Sequence, residues 1–328
     1  MEPEELLLLF VVVVLICIVL GSTIIASFYK KGLPGQVAQQ QPQPAAPQSS
    51  SSSSSSSFAS GFSAIRDKFE SIEEVQEALR KAGLESSNLI IAIDYTKSNE
   101  YNGRNTFGGR SLHALGSELN PYQRCIDIVG RTLEPFDEDH LIPAFGFGFY
   151  LSLFSIRLVF IIHAGFFFRT TGDITTKDKA VFPFFADGRP CYGVSEVLQR
   201  YNEITPHVIL SGPTSFAPII KEAIRVVRER QEYHILVIVA DGQVTNERET
   251  ISAIVEATNY PLSIIVIGVG DGPWDMMQEF DDKLPTRRFD NFQFVDFNKS
   301  SYSEVTFAID ALMEIPDQFR AITELGLL

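Results

Sequence analysis

Two aspartates and three hydroxyl side chains in this chain have the chemistry to hold a hard divalent cation. Asp94, Thr96 and Ser98 form a D-x-T-x-S run at the end of the apolar stretch NLIIAID. Asp241 follows a second apolar stretch, HILVIVA, and Thr214 ends the short loop Ser211-Gly212-Pro213-Thr214. All five offer oxygen, with no sulfur or imidazole beside them. Oxygen-only donor sets suit Mg2+ or Mn2+, which favour octahedral geometry and keep some water. Few carboxylates and several neutral hydroxyls would leave such an ion electrophilic, with room for a carboxylate from a protein partner. Singly, an Asp that ends a strand is as readily a helix cap or turn former. Their joint placement at one edge is what points to metal. The layout also raises a Mg2+-dependent phosphohydrolase with Asp94 as nucleophile. Such enzymes usually carry a second Asp two residues after the first, where Thr96 stands.

Other chemistries find less support. Cys17, Cys125 and Cys191 are scattered, so no CxxC pair exists to build a zinc ribbon, finger or RING, and a disulfide framework is not expected. His113, His140, His207 and His234 show no ligand spacing and read as structural or exposed. Gly268-x-Gly270-x-Gly272 has the wrong spacing for a dinucleotide loop and follows a late strand. Trp274 reads as packing for its loop; exposed beside the rim it would be an interaction anchor. There is no GxSxG elbow, Walker loop or Cys/His nucleophile pair. Catalytic and cofactor-binding residues are therefore not expected. The formal net charge of −14 over 328 residues argues against nucleic acid as a partner, because phosphate binding needs clustered Lys and Arg.

The elements that must position these residues alternate. A capping box, Ser71 with Glu74, opens a charged helix over 71–82 that Gly83 ends. Residues 88–94 are a continuous apolar run, as a strand buried on both faces would be. A helix over 121–134 with Pro in its first turn follows, then a strand over 140–148. Helices over 194–204 and 216–231 show three- and four-residue apolar spacing. Strands over 234–239 and 262–269 flank a helix over 249–258, and a strand over 292–297 precedes a helix over 304–314. Such alternation predicts an α/β fold: a doubly wound, mostly parallel sheet with helices on both faces. Ligands of these sheets sit beyond the carboxyl ends of the strands, where all five oxygen donors fall.

Residues 6–25 carry no charge over the length that spans a hydrocarbon core, with Glu2, Glu4 and Glu5 before them and Lys30 and Lys31 after. We expect residues 1–31 to be a transmembrane signal anchor that leaves the rest in the cytosol, a single-pass membrane arrangement. Residues 32–57, rich in Gln, Pro and Ser, read as a disordered tether. The folded domain is expected over 58–328.

Longer strings carry a resemblance. IDYTKSNEYNG, SLHALGSELNPYQRCIDIVGRTLEPFDEDHLIPAFGFG, SGPTSFAPII, VIVADGQVT and GVGDGPWDMMQEFDD are similar to the copine-type branch of von Willebrand factor A domains, found in copines and in plant RING-domain ubiquitin ligases. The D-x-T-x-S run resembles the metal-ion-dependent adhesion site (MIDAS) of those domains, usually D-x-S-x-S. The resemblance implies Asp94, Thr96 and Ser98 as first-loop ligands, Thr214 as second-loop ligand and Asp241 as third-loop ligand of Mg2+ or Mn2+. It implies a protein-binding module that captures an acidic group of a protein partner, or a relative of the ubiquitin ligases within that pathway. The chain departs from both groups. The copines' paired lipid-binding domains have no counterpart in 32–57, the ligases' eight-ligand RING is missing, and Glu2 stands where myristoylation needs Gly. Ligase catalysis is therefore not carried over.

The family pattern is interrupted after Gly148 by FYLSLFSIRLVFIIHAGFFFRTTG and resumes at Asp173. A single membrane crossing here would put Asp94 and Asp241 on opposite sides of the bilayer, so their strands could not share a sheet. Arg157 and His163 add to the cost. The Phe, Leu and Ile bias of 149–172 is that of a translated pyrimidine-rich intron, with a surface-lying or re-entrant hairpin as the rival reading.

Overall fold

The computed structural model describes residues 69–148, 181–242, 244–284, 287–300 and 303–328. Apolar strands that end at polar loops set the frame. β1 (Asn88–Asp94), β6 (His234–Ala240) and β7 (Leu262–Gly268) are buried almost end to end. Their side chains alternate between two cores. Ile91, Ile93, Val237, Val239, Ile265 and Ile267 face one; Ile90, Ala92, Leu236, Ile238, Ile264 and Val266 face the other. Burial on both faces is why these strands read as unbroken apolar runs.

Three further strands complete the main sheet: β3 (Ala144–Phe147), β4 (Val181–Pro183) and β8 (Phe292–Asp296). Its order is β4-β3-β1-β6-β7-β8. All neighbours run parallel except β4, which lies antiparallel on β3 at the edge. The expected mostly parallel sheet is present.

Helices cover both faces. On the first lie α1 (Ile72–Lys81), α2 (Pro121–Leu133), α3 (Gly193–Ile204), α8 (Glu304–Leu312) and α9 (Ile315–Glu324). On the second lie α4 (Ala217–Arg230), α5 (Glu247–Ala257) and α6 (Asp275–Lys283). A single turn, α7 (Phe297–Ser300), follows β8. Caps sit where local chemistry puts them. The Ser71 hydroxyl accepts from Glu74 N at the start of α1, and Asn120 and Gln123 form a reciprocal capping box on α2.

Several expectations change. The strand expected over 140–148 is two strands, because Pro143 has no N–H to continue a ladder. The first piece, β2 (Leu141–Ile142), pairs antiparallel with β5 (Cys191–Tyr192) in a separate small sheet. Helices α6 and α9 and strands β4 and β5 arise where no element was expected.

The expected single-pass membrane protein with its domain facing the cytosol is withdrawn. Among the described residues no helix is long and apolar enough to cross a membrane. The longest, α4, has 14 residues, about 21 Å at ~1.5 Å per residue against a hydrocarbon core of about 30 Å. Its outer face carries exposed Lys221, Arg225 and Arg228. The apolar stretch 6–25, the tether 32–57 and the insert 149–172 lie outside the described residues. Phe147 and Val181, which lie before and after the insert in sequence, are register partners in adjacent antiparallel strands.

Candidate metal centre

The sheet order reverses beside β1. From β1 the chain moves over α2 to β3, then crosses back over α3 and α4 to β6 on the other side. The connections leaving β1 and β6 therefore diverge to opposite faces and open a crevice at their carboxyl ends, the usual ligand position in such sheets. Asp94 is the last residue of β1, and Asp241 directly follows β6.

All five sequence-predicted residues meet there. The Thr214 hydroxyl donates to Thr96 Oγ1 at 3.3 Å, Thr96 Oγ1 lies 3.0 Å from Ser98 Oγ, and Ser98 Oγ donates to Asp241 Oδ1 at 3.0 Å. Asp94 Oδ1 accepts from Thr96 N at 2.8 Å. Backbone bonds hold the loops together. Ser211 N donates to the Tyr95 and Gly148 carbonyls, and Thr245 N donates to the Thr214 carbonyl. Two glycines permit the crowding. A Cβ on Gly148 would sit 2.3 Å from Thr96 Cγ2 and 3.1 Å from Asp94 Oδ1, and one on Gly270 would sit 2.4 Å from the Asp241 carbonyl.

The electrostatics are unbalanced. Asp94 and Asp241 are both 0% exposed, and neither forms an ion pair among the described residues. Burial, reinforced by the Asp241 charge, holds the Asp94 carboxyl well above the usual range. Burial likewise raises Asp241, against the opposing donations of Ser98 and Asn102. Asp94 Oδ2 is buried without a hydrogen-bond partner. Two such carboxylates cannot both ionise without a counter-charge, which a proton or a cation must supply. The donor set, two carboxylates and three hydroxyls, fits a hard divalent cation. Its carboxylates are too few to form a cluster of three acidic, His or Cys ligands, and none occurs among the described residues.

Residues without a sequence signal complete the site. Asn102 Nδ2 donates to both Oδ2 and the backbone carbonyl of Asp241, each at 3.2 Å. The Asp94 carbonyl receives His113 Nε2 at 2.8 Å, Asn99 Nδ2 at 3.2 Å and Tyr122 Oη at 3.2 Å. Asn99 and Asn102 closely follow the D-x-T-x-S run, but nothing in their spacing says which carboxylate they will meet. Burial pushes His113 down to about 3, so its ring is neutral. Trp274, 8% exposed, packs on Phe294 and over Gly268 in the second core, as a loop-packing residue would. The glycines at 268 and 270 thus serve close packing on Trp274 and on the Asp241 backbone.

Comparison with known proteins bears on the same residues. A family model described as Copine matches residues 111–328. The E3 ubiquitin-protein ligase RGLG3 of Arabidopsis thaliana is 48% identical over 284 residues, covering 80% of this chain and 71% of that protein. RGLG2 of the same plant is 50% identical over 287 residues, 81% of this chain and 56% of its own length. Copine family protein 1 of Caenorhabditis elegans is 50% identical over 266 residues, 79% of this chain and 22% of that protein. The chain thus spans between about half and seven-tenths of these ligases, and a smaller part of the nematode protein. Among solved structures, manganese-loaded Plasmodium vivax TRAP protein overlaps at 12% identity over 69% of this chain and 74% of that one, with a TM-score of 0.42. That overlap is too loose to inform the site.

Proposed function

The chain belongs to the copine family, and from that premise we propose that it is a metal-dependent protein-binding module. Asp94, Thr96, Ser98, Thr214 and Asp241 would hold Mg2+ or Mn2+. When bound, the ion supplies an electrophilic position for a carboxylate of a protein partner. The chain's own residues do the rest. Thr96 N orients Asp94 through Oδ1, Asn102 and Ser98 orient Asp241, and the hydroxyls add oxygen without adding charge. One observation carries the reading: a fully buried carboxylate pair amid hydroxyls, with one oxygen without a donor and no cationic side chain paired to it among the described residues. Calorimetric titration of the full chain with Mn2+ and with Mg2+ tests it. Saturable binding that Asp94→Ala abolishes is expected; no binding by the folded protein would overturn it.

A second reading draws on the RGLG ligases. The chain would then serve the recognition step of ubiquitin transfer, as a relative of ligases to which it is 48–50% identical. Co-purification of ubiquitin-ligase activity with the chain is the expected outcome, and its absence would count against this reading. A phosphohydrolase with Asp94 as nucleophile fits poorly, because Thr96 stands where such enzymes usually carry a second Asp.

A further inference from the structure

At the end of β1 the Asp94 carbonyl has run out of ladder. The β1–β6 register stops at Ile93 with Val239, while the β3 side continues one residue further and Tyr95 N donates to the Phe147 carbonyl. A buried carbonyl left so must find other donors. Two side chains donate to it, His113 and Asn99, and the Tyr122 hydroxyl lies 3.2 Å away with its proton shared with the nearer Asn99 Oδ1 at 2.6 Å. The His113 bond is the shortest, and its ring is clamped between Tyr122 at 4.1 Å and Tyr95 at 4.7 Å, nearly parallel to both.

A carbonyl only accepts, so Nε2 of His113 carries the proton. Nδ1 of the neutral ring is then an acceptor, and the Tyr201 hydroxyl lies 2.7 Å from it. Asn120 Nδ2 in turn donates to the Tyr201 oxygen at 3.1 Å, while Asn120 Oδ1 caps α2. The donations run one way, from the start of α2 through α3 to the last peptide of β1. That peptide joins Asp94, the first of the proposed ligands, to Tyr95, and Thr96 N, one residue further on, holds Asp94 Oδ1.

Resting on the metal-binding reading above, we infer that His113 is a positioning residue for the metal centre: through Nε2–H it fixes the Asp94–Tyr95 peptide and with it the carboxylate of the first ligand. It does not itself contact the ion. Outer partners that orient ligands typically change metal affinity by about 10- to 100-fold when lost.

The test uses the full chain and Mn2+ alone, titrated calorimetrically, with folding checked by thermal melting. His113→Leu removes the donor and should weaken Mn2+ binding about tenfold. His113→Gln keeps an N–H at the same reach and should restore affinity to within about threefold of the parent, a rescue that volume alone does not explain. Tyr201→Phe, which removes the hydroxyl that selects the tautomer, should give an intermediate loss. Nitrogen-15 spectra of the unsubstituted protein should show His113 protonated at Nε2 only. Equal Mn2+ affinity in the parent and in folded His113→Leu would overturn the inference while leaving the metal site standing. Should His113→Leu not fold, full affinity in Tyr201→Phe or protonation at Nδ1 would overturn it. If the parent binds no Mn2+, the metal reading and this inference fall together.

Discussion

Asp94 and Asp271 belong to neighbouring loops at the same edge of the sheet and meet opposite circumstances. Asp271 is only half-buried and well supplied with donors: Asn105 N and Nδ2 reach Oδ2 at 3.0 and 3.2 Å, and Thr106 N and Oγ1 reach Oδ1 at 3.0 and 2.7 Å. Burial pulls its carboxyl upward, yet these donations outweigh it and the group sits below the usual range. Asp94 is fully buried, has one oxygen without a donor, and is held above the usual range. The Asp271 carboxylate is complete within the protein and pins the 103–110 loop; the Asp94 carboxylate, buried beside Asp241, stays ionised only with a counter-charge. The two differ in donors: both Asp271 oxygens have them, whereas Asp94 Oδ2 has none among the described residues.

Removing the deficit is the most severe challenge to this contrast. Asp94→Ala should lower Mn2+ affinity by at least about 100-fold, measured by calorimetry, as expected when a first ligand of a hard cation is lost. Asp94→Asn, which keeps the shape and discards the charge, should bind no better. Retained binding in either would make Asp94 an ordinary buried acid.

Asn102 joins the two carboxylates, since its side chain donates to Asp241 and its carbonyl accepts from Asp271 N at 2.7 Å. Asn102→Ala should weaken Mn2+ by roughly tenfold, by freeing Asp241 Oδ2. Asp271→Ala should lower stability by about 1–2 kcal/mol in chemical denaturation, because its bonds are partly exposed, and shift Mn2+ affinity less than threefold. A larger effect of Asp271→Ala than of Asn102→Ala on Mn2+ would reverse the roles assigned to them.

Glu314 separates burial from function. Burial pushes its carboxyl up to about 7, with the Asp290 charge adding and Arg287 opposing, yet it lies at the start of α9 and is none of the five candidate ligands. Because the folded value lies above the unfolded one, the unfolded chain gives up this proton first. Its contribution to stability is full below about pH 4.5 and is lost as pH rises toward 7. Glu314→Gln should therefore stabilise the protein above pH 7 by a few kcal/mol at most, flatten that part of the pH–stability curve, and leave Mn2+ affinity unchanged. An altered Mn2+ affinity would show that raised carboxylates in this fold are not independent.

What the chain's local order determined is considerable. Continuous apolar runs over 88–94, 234–240 and 262–268 specify buried strands because both faces of such a strand meet a core, and that demand is written in consecutive residues. The cap of α1 was legible for the same reason, as its partners are three residues apart, whereas the Asn120–Gln123 box of α2 was seen only in the structure. Parallel strands turn their carboxyl ends to one edge, so the assembly of Asp94, Thr96, Ser98, Thr214 and Asp241 followed once strands and order of types were known. Other features needed the tertiary structure. Pro143 breaks 140–148 into strands of two different sheets, and the antiparallel β4 joins through pairing with β3, neither of which a local period records. Length and apolarity at 6–25 suggested a membrane protein, an expectation that the short, one-sided helices of the described domain do not sustain. His113 meets Asp94 from 19 residues away and Tyr201 from 88, and Asn102 meets Asp241 from 139. A hydrogen bond depends on angle and on a few tenths of an ångström, and only the folded chain brings distant residues to that precision. Sequence supplied the atoms of the site; packing decided which of them were left without a partner.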